Sequence, residues 1–141
     1  MKSLLVGVTT VAICASALTA FAADGTSTKS DWIEVSSTDT HTFSVRKGSF
    51  EVTRTKGGSD IAVVLGQATN RKSKSIEYRQ WYVSKDDCLS GLGKLVMLDT
   101  KGTYVSEVDF VAKGDSAASG IADAICSIYL DELKKQQDKG I

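Results

Sequence analysis

Few side chains in this sequence could carry acid–base, nucleophilic or metal chemistry. The single histidine, His41, lies between two threonines with no Cys, His or Asp motif around it, which reads as an exposed strand-edge residue and not as a general base. Serines are plentiful, but no G-x-S-x-G elbow presents one as a nucleophile. Redox catalysis would use a C-x-x-C pair, which is absent. Asp86, Asp87, Asp99 and Asp109 lack the alternating spacing of an EF-hand loop and read as solvated turns. Gly91-Leu92-Gly93-Lys94 resembles a fragment of a phosphate loop, yet it leads into a strand, so no helix N-terminus is placed to hold phosphate. The expectation is a non-enzymatic protein with no catalytic residues, metal site or cofactor.

The strongest surface feature is a run of interleaved cations and aromatics. Arg71, Lys72, Lys74 and Arg79 stand among Tyr78, Trp81 and Tyr82. Such a cluster can bind sugars, anions or a protein partner. The competing reading is a solvated hairpin tip beside core aromatics. We take Arg71, Lys72, Lys74, Arg79 and Trp81 as the candidate partner contact.

The remaining chemistry belongs to the cysteines, and their number depends on the N-terminus. Lys2 is the only charge before Asp24, and the stretch between ends in Ala20-Phe21-Ala22. A charged start, an apolar middle and a small-x-small site read as a secretory signal peptide over residues 1–22, cut between Ala22 and Ala23. The alternatives are an uncleaved membrane anchor and a lipoprotein at Cys14, where Ile13 is too large for the position before a lipidated cysteine. Removing the signal takes Cys14 with it and leaves Cys88 and Cys126. An even pair in an exported chain reads as one disulfide. Two free thiols or a metal site are the other possibilities, and two cysteines with one distant histidine make a poor zinc site.

These residues must be positioned by a mostly β chain. Residues 23–30 are small and polar and read as a flexible lead. Trp32 to Val35, Thr42 to Arg46 and Phe50 to Arg54 are short strands, the last two alternating cleanly, with Lys47-Gly48 and Lys56-Gly57-Gly58-Ser59 as turns. Ile61 to Leu65 is a continuous apolar run, which suits a central strand covered on both faces. Asn70 to Ser75 is a basic turn before the long strand Ile76 to Val83. Asp86 to Gly93 is expected as a loop, followed by strands at Lys94 to Leu98 and Tyr104 to Phe110. The period then changes. Asp115 or Ser116 can cap a helix from Ala117, whose Ala118, Ile121, Ala122, Ile125, Tyr129 and Leu133 share one face, with Cys126 and Ile128 at its edges. The helix should fray near Asp138.

The predicted fold is α+β over residues 31–138. An antiparallel sheet of six or seven strands carries the C-terminal amphipathic helix on one face, tied by Cys88–Cys126. A closed barrel with a helical plug and a sandwich are the alternatives. The chain has 141 residues, balanced at 17 Lys+Arg and 17 Asp+Glu, so nothing points to nucleic acid or an anionic membrane as partner. It contains no proline, where average usage of about 5 % would give roughly seven. No proline therefore blocks the sheet edges, and strand addition by a partner or a homodimer through an edge is open.

With these residues in hand, the chain resembles the surface-adhesin protein E family of Gram-negative exported proteins. Trp32 opening the first strand, the Tyr78 to Tyr82 strand, Asp87, Cys88 and Gly91 followed by Asp99 and Gly102, and the Cys126-bearing helix carry the resemblance over most of residues 31–133. The resemblance implies an antiparallel sheet with a C-terminal helix held by a disulfide and, in some members, adhesion to host extracellular proteins. The expected role is thus a small binding or adhesin-like module of the envelope, periplasmic, secreted or at the cell surface, with an unidentified protein partner and no membrane span after cleavage. An inhibitor or immunity protein of a periplasmic hydrolase is the competing class. It would need a protruding acidic or aromatic loop, for which Asp86-Asp87 is the candidate.

Overall fold

The computed structural model describes residues 30–140, so the expected signal peptide, the Ala22–Ala23 junction and nearly all of the lead lie outside the described residues. Seven strands and two helices follow in the order β1 (Trp32–Ser37), β2 (His41–Arg46), β3 (Glu51–Arg54), β4 (Asp60–Asn70), β5 (Ile76–Ser84), α1 (Lys85–Ser90), β6 (Leu92–Leu98), β7 (Tyr104–Val111) and α2 (Ala117–Lys139). The strands form one antiparallel sheet in the order β1-β2-β4-β5-β6-β7, with β3 paired to β4 off this path. The α+β architecture read from the sequence is the one found.

β4 holds the sheet together. Its residues Gly66 to Asn70 pair with β2, Asp60 to Val63 pair with β3, and its other edge runs along β5 from Ile61 to Thr69. A strand flanked on both edges loses its backbone groups to the ladder and must hide its side chains. Ile61, Ala62, Val63 and Val64 are accordingly all buried.

One face of the sheet meets α2. Val45, Val64, Trp81, Val83, Leu95 and Phe110 from the strands pack with Ile121, Ala122, Ile125 and Tyr129 from the helix. This is the apolar face that the helical spacing picks out, with Ser119 added at 2 % exposure. Ser116 caps the helix by accepting the Ser119 N–H, and the helix runs to Lys139, a turn's fraction beyond the expected end.

The loop expected at Asp86-Asp87-Cys88 is instead the short helix α1. Ser84 Oγ accepts the Asp87 N–H at 3.1 Å, and Gly91 closes the helix at φ 76°, donating its N–H to Asp87 O at 2.9 Å. Ser-x-x-Asp before and Gly after are ordinary cap signals, so the helix was written in the sequence. Cys88 therefore stands on a helix, and the Cys88–Cys126 disulfide joins α1 to α2 with the Cα atoms 5.2 Å apart.

The first turns of α2 touch both outer strands. Ser119 Oγ accepts the Val111 N–H of β7, while Gly120 lies against Ser36 and the Val35 carbonyl of β1. Six strands in a row separate their outer members by about 24 Å in a flat sheet. Adjacent helix residues can reach both only because the sheet curls around the start of α2. β1 and β7 do not pair, so the curl stops short of a closed barrel.

Candidate functional site

The basic turn forms where expected, between β4 and β5. Asn70 organises it. Its side-chain oxygen accepts the Lys72 and Ser73 N–H groups at 2.9 and 3.0 Å, and its backbone bonds Ser75 O and Lys74 N. Lys74 takes the left-handed conformation at φ 64°, and the Arg71 N–H reaches across to Thr40 O in the β1–β2 turn. The tip is thus a fixed scaffold. Arg71, Lys72 and Lys74 stand exposed on it, and none forms an ion pair among the described residues.

The other two members of the predicted contact do not join them. Arg79 pairs with Gly66 further along the ladder, its guanidinium on Glu77 at 3.2 Å and on the Tyr78 carbonyl at 3.1 Å. Trp81 is a correction. At 1 % exposure it is a core residue, lying over Gly66 and meeting Phe43 edge-on at 6.2 Å, so it offers a partner no surface. Alternation already put Trp81 and Tyr82 on opposite faces, but it could not say which face the helix covers. Tyr78, on the face away from α2, pairs with Trp32 at 5.8 Å instead.

The candidate metal-binding acids are dispersed into structural tasks. Asp87 accepts the Lys94 N–H at 3.1 Å, a contact so close that Gly93 has no room for a Cβ. Asp99 accepts the Lys101 and Thr103 N–H groups within its turn at 2.8 and 2.9 Å. Asp109 holds Lys94 Nζ at 2.6 Å, which pushes the ammonium pKa up from its ordinary value. No three metal-ligating side chains come together among the described residues. His41 opens β2, hydrogen-bonded through Nδ1 to Thr40 and stacked on Phe43.

A feature that sequence reasoning named only in general terms lies at the β7 edge. Among the described residues no strand pairs with its outer side. Tyr104, Val105, Val108 and Val111 are 43–56 % exposed along it. Beside it, a groove of about 300 Å³ opens between sheet and helix, lined by Val108, Leu95, Met97, Phe43, Ala117 and Ile121 among others. Its signal in the sequence was the alternation of β7 without proline or lysine, a pattern that shows an unguarded strand but not that it ends the sheet.

The disulfide is compatible with an exported chain, since such bonds persist in oxidising compartments. No helix among the described residues is long and apolar enough to cross a membrane. In comparisons with known proteins, no family model, no curated protein and no solved structure matches the chain.

Proposed function

We propose that this chain is a small exported, non-enzymatic binding module of the bacterial envelope, adhesin-like in kind, which engages a protein partner. The observation that carries the reading is the β4–β5 tip, where three cations project from a turn fixed by Asn70 and pair with no carboxylate among the described residues. A turn whose backbone is already fixed adds no loop-ordering cost to binding, and unpaired cations favour an acidic surface. The inhibitor reading lacks its loop. Asp86 and Asp87 lie in α1, and Asp87 is turned inward onto the Lys94 amide.

The test is charge reversal at the tip. The triple variant Arg71→Glu, Lys72→Glu, Lys74→Glu should fold as the parent does, since all three side chains are exposed. Immobilised parent and variant are exposed in parallel to envelope extract and to laminin-like and vitronectin-like matrix proteins. Loss of the captured protein with the variant supports the reading, and equal capture by both overturns it. Capture of one endogenous hydrolase that the parent inhibits would favour the inhibitor class.

A further inference from the structure

We propose that the outer edge of β7 is a docking strand for an extended segment of a partner protein, one that alternates basic and apolar residues. The backbone supplies the first argument. Ala112 N donates to Gly91 O, and the antiparallel alternation then turns Phe110, Val108 and Ser106 toward β6. The N–H and C=O groups of Glu107 and Asp109 therefore point outward, while Val105 is the extra residue of a bulge. At Val111 the outward groups are already used, the N–H by Ser119 Oγ and the carbonyl by the Gly114 N–H. The edge is closed at its Val111 end, bulged at Val105 and open between them at Glu107 and Asp109.

Both outer strands are bulged and both touch α2. β1 has a bulge between Glu34 and Ser36, and α2 packs Gly120 against it. β7 likewise has an extra residue, Val105, between the pairs Met97↔Ser106 and Leu98↔Tyr104, and Ser119 of α2 covers its Val111 end, but between these it carries no lysine or proline. The stretch 106–109 between bulge and helix is an open, half-apolar edge of the kind used in strand addition, where backbone bonds give affinity and side-chain pockets give selectivity.

The side chains define the occupant. A strand laid beside β7 would turn alternate residues toward the helix, next to Val108, where the apolar groove begins. The residues turned the other way would meet Glu107 and Asp109, whose two carboxylates share the single ammonium of Lys94 at 3.8 and 2.6 Å. One negative charge is left over, which favours cations on that face of the incoming strand. A second copy fits poorly. The two-fold register that uses both open residues centres on Val108 and sets Glu107 opposite Asp109, and centring it on Glu107 sets that carboxylate opposite its own copy.

The test uses the full chain and a short capped peptide in which Lys alternates with Leu, with a Glu–Leu peptide as control. Hydrogen exchange at the amides of Glu107 and Asp109 is followed with and without peptide. The proposal expects saturable binding of the Lys–Leu peptide, with exchange slowed at these two amides and weak binding of the Glu–Leu peptide. Glu107→Pro removes an outward donor without costing a ladder bond and should weaken binding at least about tenfold. Should that variant misfold, the double charge reversal Glu107→Lys, Asp109→Lys should transfer preference to the Glu–Leu peptide. Unchanged exchange at the two amides, or equal binding of both peptides, overturns the proposal. So does slowed exchange there in the protein alone at raised concentration, which would make a second copy the occupant. The tip reversal at Arg71, Lys72 and Lys74 leaves this edge untouched, so the two proposals fail separately.

Discussion

The six-membered ring of the Trp81 indole occupies the space in which a Cβ on Gly66 would stand. The two residues belong to neighbouring strands, β5 and β4, and the ring leans across the ladder onto the bare backbone of its neighbour. Gly66 is thus the price of a large aromatic at the centre of the core. Gly66→Ala should cost about 1–3 kcal/mol through overpacking, although the same change in an open strand would be neutral or helpful. Chemical denaturation of the oxidised protein checks it, and an unchanged midpoint would show that the ring moves aside freely.

The tie between the helices should matter as much as any core residue. Cys88 and Cys126 are 38 positions apart, a loop for which chain entropy gives about 4 kcal/mol. Replacing both by serine, or reducing the bond, should lower stability by about 2–4 kcal/mol. Thermal melts with and without reductant measure it. A reductant-insensitive melt of the parent would contradict a structural role for the bond.

Ser119 serves two partners at once. It is buried, accepts the Val111 N–H at 3.1 Å and lies 3.0 Å from the Ser116 hydroxyl. Ser119→Ala should cost about 1–2 kcal/mol and speed exchange at the Val111 amide in particular. An effect spread evenly over all amides would mean that the alcohol contributes only general stability.

Alkaline pH should weaken the fold through Tyr129. Burial pushes its phenol above the ordinary value of 10.0, since a phenolate among Phe50 and the core loses its water. A group whose pKa is raised on folding contributes stability in full below the unfolded value, and that contribution is lost as pH climbs through the folded one. Stability should therefore fall above pH 10.0 and fall less in Tyr129→Phe, which keeps the ring. Lys94 and Tyr104 are raised in the same direction but lie at the exposed β6–β7 surface, so the difference between parent and variant isolates Tyr129. Identical pH profiles for the two proteins would contradict it.

How much of this could be read from the sequence depends on the range of the forces involved. Local rules act within a few residues and were legible. The alternation of Phe43 and Val45, the Gly57-Gly58 turn and the face shared by Ile121, Ala122 and Ile125 all lead to the elements observed. Helix α1 was legible too, in Ser84 and Gly91, but six residues give a period too little room to show. Pairing order is set by contacts distant in sequence. Nothing in Glu51–Arg54 announces that β3 pairs beside β2 on the same edge of β4. The predicted site fared similarly. Arg71, Lys72 and Lys74 share a turn because they are neighbours in sequence, whereas the burial of Trp81 depends on which face α2 covers, a fact decided some forty residues later.

The double contact of α2 with Val111 and Ser36 bears on how the molecule comes apart. Edge strands ordinarily fray alone, at small free energy, while the centre of a sheet stays shut. Here the two outermost strands are fastened to adjacent residues of one helix, and that helix is bolted through Cys126 to the middle of the chain. Lifting the start of α2 frees both margins of the sheet together, so opening at one is an event at the other. β1 and β7, the strands farthest apart in the sheet, should behave as a single cooperative unit.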